Sequence, residues 1–153
     1  LKIDKGNKII EYQNNNIKEI GDNFFRYNIF LEHLWLPNVT SIGLKFLYYN
    51  QSLRLLDLPN VIKIGNVFLY CNKSLNHIEL PKVVEIGNDF LSCNRSLNQL
   101  SLPKTKKIGD NFLTLNRSLN QIYLPKLKQI EESFLYNNKS LTQLELPSVK
   151  GGR

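Results

Sequence analysis

The sequence predicts an α/β solenoid: a right-handed coil with a parallel β-sheet on one face and short helical or 3₁₀ turns on the other. Three observations predict it. Ile-Gly recurs at Ile20-Gly21, Ile42-Gly43, Ile64-Gly65, Ile86-Gly87 and Ile108-Gly109, and Ile130-Glu131 continues the series, always 22 residues apart. A unit of that length cannot bury its own apolar face, so neighbouring units must stack. The 153 residues include 20 Asn and no Ala, which disfavours a helix bundle, because Ala is the best helix former and Asn a poor one.

The elements follow from the columns, counted from each Ile as position 0. Positions 1–5, Gly-x-x-Phe-Leu, have room for one helical or 3₁₀ turn. Position 4 is Phe throughout: Phe24, Phe46, Phe68, Phe90, Phe112 and Phe134. Position 11 is always Leu, and positions 14 and 16 are Leu or Ile, as in Leu34/Leu36 and Ile78/Leu80. That alternation predicts a strand with the even positions facing in and positions 13 and 15 facing out. All six Pro stand at position 17, where a missing N–H ends the ladder.

Position 8 is Asn in every unit: Asn28, Asn50, Asn72, Asn94, Asn116 and Asn138. An inward Asn can accept from and donate to turn backbone groups that burial would otherwise leave unpaired. Stacked, these side chains form a ladder. Five of the six N-glycosylation patterns, such as Asn72-Lys-Ser74, begin at a ladder Asn and read as by-products of the repeat; Asn38-Val-Thr40 is the sixth.

Leu-x-x-Leu-x-Leu at positions 11–16 is the leucine-rich-repeat pattern. The fuller string Ile-Gly-x-x-x-Leu-x-x-Asn-x-Ser-Leu-x-x-Leu-x-Leu-Pro-x-Val-x-x-Ile, over residues 20–149, resembles the BspA-like (treponemal-type) repeats. Here the unit is one residue shorter after the Pro, Phe-Leu stands where that family has Ala-Phe, and Asn stands where it has Cys. The resemblance implies a leucine-rich-repeat fold and a bacterial or protozoan surface or secreted binding protein with a protein or peptide partner.

Three segments are expected: a capping or partial repeat at 1–19, with Ile10-Glu11-Tyr12 as a strand; six repeats at 20–149; and a tail at 150–153. Gly152 falls where a seventh Ile would stand, so a truncated array, a foreign tail or a covering partner are the alternatives for that end, including end-to-end or homo-oligomer contact. The first residue, Leu1, is compatible with an excised piece. Apolar runs are short, so no membrane-spanning segment is predicted, and no secretory signal is visible.

The columns that vary carry the functional expectation. Position 15 reads Trp35, Asp57, Glu79, Ser101, Tyr123, Glu145; position 13 reads His33, Leu55, His77, Gln99, Gln121, Gln143. With three carboxylates, two large aromatics and no cation at position 15, this face suits a protein or peptide ligand offering basic and apolar groups. The net charge of +7 lies elsewhere. Lys104, Lys106, Lys107, Lys126 and Lys128, with Lys73, Arg95, Arg117 and Lys139 at position 9, form a ridge that could meet a polyanionic glycan or nucleic acid. Aromatic residues are not interleaved with these Lys, which disfavours nucleic acid.

Catalytic signals are weak. His33 and His77 are two coils apart, about 10 Å, too far for a tight pair. The His77–Glu79 spacing leaves room for an imidazole–carboxylate contact, but no motif places a nucleophile. No metal-ligand spacing or phosphate loop appears, so no metal and no cofactor are predicted. Cys71 and Cys93 share position 7 in adjacent coils, where a disulfide or two half-buried thiols are both open. The expected function is a non-catalytic protein-interaction module. The alternatives are a polyanion binder through the Lys/Arg ridge, or the recognition part of a larger effector enzyme.

Overall fold

The computed structural model describes residues 2–3 and 9–150. Residues 1 and 4–8 of the expected cap, and 151–153 of the expected tail, lie outside the described residues. The chain is a parallel β-solenoid of about six turns. Its strands are β1 (Lys2–Ile3), β2 (Ile9–Gln13), β3 (Glu19–Ile20), β4 (His33–Trp35), β5 (Ser41–Ile42), β6 (Leu55–Asp57), β7 (Lys63–Ile64), β8 (His77–Glu79), β9 (Glu85–Ile86), β10 (Gln99–Ser101), β11 (Gln121–Tyr123) and β12 (Gln143–Glu145).

The long strands pair in the register that the period requires: His33 lies opposite Leu55, Leu55 opposite His77, and Gln99 opposite Gln121. β2 adds one more parallel strand, with Tyr12 opposite Leu34, and β1 pairs antiparallel to it. A second, narrow parallel sheet, β3-β5-β7-β9, runs through the residue pairs ending in Ile20, Ile42, Ile64 and Ile86. The side chains of positions 11, 14 and 16 interdigitate between the sheets and the Phe column. That core includes Leu34, Leu56, Phe68 and Leu100, each at most 3% exposed.

The turn side departs from expectation. Among the described residues there is no helix and no 3₁₀ turn. Instead, positions 3, 5 and 7 of every coil have left-handed φ, from 48° at Phe25 to 62° at Val67. None of these residues is Gly, and a side chain in that region costs energy, most for a branched one. Bonds between coils offset the cost. Position 5 donates to the previous coil's position 4 carbonyl (Leu91 N to Phe68 O, 2.9 Å). Positions 3 and 7 donate to the next coil (Val67 N to Asn88 O, 2.8 Å; Cys71 N to Ser92 O, 2.9 Å). The alternation sends successive N–H groups to opposite neighbours, which a helix, bonded within itself, cannot do.

The Phe column then stacks ring on ring, at 5.3–5.7 Å between centroids and within 10° of parallel. Gly at position 1 allows this spacing. No Gly among the described residues has positive φ; the need is for space, since a Cβ on Gly65 would lie 2.8 Å from the Gly43 carbonyl carbon and oxygen. Glu131 replaces that Gly in the last coil, and Ile130 beside it is 43% exposed where earlier Ile are buried.

The ladder Asn side chains work as acceptors. Asn94 Oδ1 accepts from the N–H groups of Ser96 and Leu97, both at 3.2 Å, and the same pair of bonds recurs at Asn28, Asn50, Asn72, Asn116 and Asn138. The expected donation is not made: the Nδ2 groups of Asn50, Asn72, Asn94, Asn116 and Asn138 are buried without a partner. Burial of these Nδ2 atoms also closes five of the glycosylation patterns to an enzyme. Asn38, at the sixth, is exposed, and its Nδ2 donates to the Asn15 carbonyl at 2.7 Å.

Candidate functional site

The expected parallel sheet on one face is divided. Its order is β1-β2-β4-β6-β8 and, separately, β10-β11-β12. Two recurring bonds show where it parts. The amide at position 12 donates to the previous coil's position 12 carbonyl at Glu32, Arg54, Asn76, Asn120 and Thr142, at 2.8–3.1 Å, but not at Asn98. The position 16 amide donates to the next coil's position 15 carbonyl at Leu36, Leu58, Leu102 and Leu124, but not at Leu80. Both missing bonds belong to the junction of β8 with β10. Cα atoms of these two strands mostly lie more than 8 Å apart, whereas those of laddered neighbours mostly lie within 8 Å.

The opening is local to the strands. Lys106 N still bonds Val84 O at 2.9 Å, and the Phe68 and Phe90 rings still stack at 5.3 Å. The result is a groove of about 660 Å³ on the outward face. Asn76, His77, Glu79, Gln99, Tyr123 and Glu145 are among its walls, with Ile78 and Leu100 also lining it, and no Lys or Arg among the described residues does. Ile78 is half-buried, whereas Leu34, Leu56, Leu100 and Ile122 in the same column are buried.

Position 15 projects outward: Trp35 is 41% and Tyr123 42% exposed, Glu79, Ser101 and Glu145 are exposed, and Asp57 is half-buried. At position 13, Leu55, His77, Gln99, Gln121 and Gln143 are exposed and His33 is half-buried. Glu79, Ser101, Tyr123, Glu145, His77, Gln99, Gln121 and Gln143 line the groove, while Trp35, His33, Leu55 and Asp57 stand outside its lining. Gln121 Nε2 donates to Gln143 Oε1, tying β11 to β12 on the outside.

The two His are joined through a residue that the spacing estimate omitted. Asp57, on the strand between them, has Oδ2 3.4 Å from His33 Nε2 and Oδ1 4.0 Å from His77 Nε2; His77 Nε2 also lies 3.4 Å from Glu79 Oε1. Two imidazoles thus share one carboxylate on the open face. No cluster of three or more His, Cys, Asp or Glu among the described residues has metal-binding geometry.

The Lys ridge is separate from this face: Lys104, Lys106, Lys107, Lys126 and Lys128 are all exposed and none lines the groove. Cys71 and Cys93 are free thiols. Burial, and then the neighbouring Cys93, push the Cys71 thiol up to about 11. A tyrosine cluster went unnoticed in the sequence: Tyr27, Tyr48, Tyr49 and Tyr70 pack at 4.6–6.1 Å, with the Arg26 guanidinium 4.7 Å above the Tyr27 ring. Its signal was available, since positions 6 and 7 of the first three coils hold four Tyr.

A family model described as BspA type leucine-rich repeat region (6 copies) matches residues 6–73 and 44–150. The chain belongs to this family. Nothing among curated proteins or solved structures matches it. In these BspA-type repeats the residues between strand anchors are released from packing, which is why charge and aromatic character differ so freely along positions 13 and 15. No helix among the described residues is long and apolar enough to cross a membrane.

Proposed function

We propose that this chain is a protein-interaction module that binds a basic, extended segment of a partner on its outward sheet face, without catalysis. One observation carries the reading: in a chain of net charge +7, no Lys or Arg among the described residues lines a groove whose walls present Glu79, Glu145 and Tyr123. Carboxylates beside an aromatic favour an ammonium or guanidinium over a neutral or acidic ligand, through charge and ring quadrupole together. Family membership supports a binding role, and a secreted or cell-surface location, in bacteria or protozoa, is the setting we infer from it.

The test is fluorescence anisotropy with a labelled Lys-Val-Lys-Val-Lys peptide and its Glu-Val-Glu-Val-Glu counterpart. Binding of the first alone, lost in the Glu79→Lys/Glu145→Lys double variant with an unchanged melting curve, supports the reading. Equal binding of both peptides, or none of either, overturns it. A second reading, polyanion binding, rests on the exposed Lys ridge. Reversing Lys104, Lys106, Lys107, Lys126 and Lys128 to Glu should then abolish heparin binding, and that binding should fall steeply between low and moderate salt.

A further inference from the structure

We infer that the partner's segment enters the sheet itself, as a strand inserted between β8 and β10; this rests on the reading of the face as a site for a basic extended segment. In the parallel ladders here, positions 14 and 16 turn their backbone groups to the following coil and positions 13 and 15 to the preceding one. Leu36 N to Asp57 O and Leu55 N to Glu32 O are examples. At the open junction, the N–H and C=O of Ile78 therefore face β10, and those of Gln99 and Ser101 face β8. The two strands share no ladder. At the remaining junctions between the long parallel strands, the equivalent groups are paired.

Spacing and shape agree with one occupant. Neighbouring strands stand about 4.8 Å apart, so one inserted strand needs about 9.6 Å. The junction, with most Cα pairs beyond 8 Å, is already most of the way to that width. A short strand there would find hydrogen-bonding groups on both sides, which a ligand lying on top of the face would not reach. Its inward side chain would meet Ile78, the one member of its column between β2 and β12 that is not buried, so that side chain should be apolar. Its outward side chains would stand between Glu79 on β8 and Ser101 on β10, with Glu145 two strands further across the same face, so these should be basic. The chemistry is that of an alternating basic–apolar segment adding to a sheet, with main-chain bonds supplying affinity and alternate side chains supplying selectivity.

The experiment uses the intact chain, so that no protein variant has to fold. The Lys-Val-Lys-Val-Lys peptide is compared with the same peptide N-methylated at alternate residues, and amide exchange is followed by NMR. In the free chain, the Ile78, Gln99 and Ser101 amides should exchange much faster than those of Leu56 and Tyr123. The unmodified peptide should protect all three, and N-methylation should weaken binding about tenfold or more. Insertion is overturned if the three amides are already protected in the free chain. It is also overturned if the methylated peptide binds equally well without protecting them; the face would then still bind basic segments, through side chains alone. Failure of both peptides to bind would overturn insertion and the face reading together.

Discussion

At the turn between Phe68 and Phe90 the third and fourth coils stack like any other pair, while on the opposite face their strands, β8 and β10, have parted. The same two coils are thus closed on one side and open on the other. On the turn side each coil bonds to both neighbours through positions 3, 5 and 7 and stacks a ring on each. These contacts hold the spacing near 5.3 Å whatever the strands do. On the strand side, cohesion rests on a three-residue ladder and the side chains beneath it. A repeat protein can therefore open one ladder for ligand while its turn side keeps the array in register.

The largest way to break this comparison is Phe90→Ala. The ring is fully buried and stacks on Phe68 and Phe112, so its loss should cost about 3–5 kcal/mol in urea unfolding. A loss under about 1 kcal/mol would mean that the turn side does not hold the coils. The same logic applied to one column sharpens the contrast. Leu56→Ala, fully buried beneath a closed ladder, should cost about 2–5 kcal/mol, and Ile78→Ala, beside the groove, about half as much or less. Equal losses would mean that the groove is closed in solution.

Asn94→Ala comes next, at about 1–3 kcal/mol, since two turn amides lose their acceptor. The unpartnered Nδ2 disappears with the substitution, which places the cost in the lower part of that range. A mutant that melts like the parent would remove the Asn column from the account of what holds the turns.

The smallest effect concerns Cys71, which burial holds up to about 11. Its folded value lies above the usual thiol value, so the neutral form is favoured in the fold. Its contribution to stability is complete below about pH 8.5 and is lost as pH rises through about 11. Iodoacetamide should accordingly alkylate Cys71 slowly at pH 8 and faster toward pH 11. Full labelling at pH 7.5 at the rate of an unfolded thiol would show that this part of the turn side opens.

Much of this was legible in the residues, for a physical reason. Stacking identical units requires the same packing residue at the same place in each, so Phe24 to Phe134, Leu31 to Leu141 and the six Pro printed the register onto the sequence. The outward columns were legible by subtraction, as the positions that packing leaves free. The conformation of the turns was not. Gly is the usual marker of left-handed backbone, yet Phe25, Val67 and Cys93 adopt it without that marker, because bonds to neighbouring coils outweigh local preference. The bridging role of Asp57 between His33 and His77 was missed because distance along one column was weighed without the strand between.

By itself, then, the sequence determined the solenoid, its 22-residue step, the inward and outward positions and the separation of the Lys ridge from the acidic face. Each of these depends on contacts that repeat with the period and so leave a mark in every unit. Only the tertiary structure decided where the sheet opens. Ile78 and Leu100 are ordinary members of their column, and nothing at either position announces a gap. The break depends on how two coils sit against each other once all their contacts, on both faces, are summed; that relation belongs to the pair and is written in neither repeat.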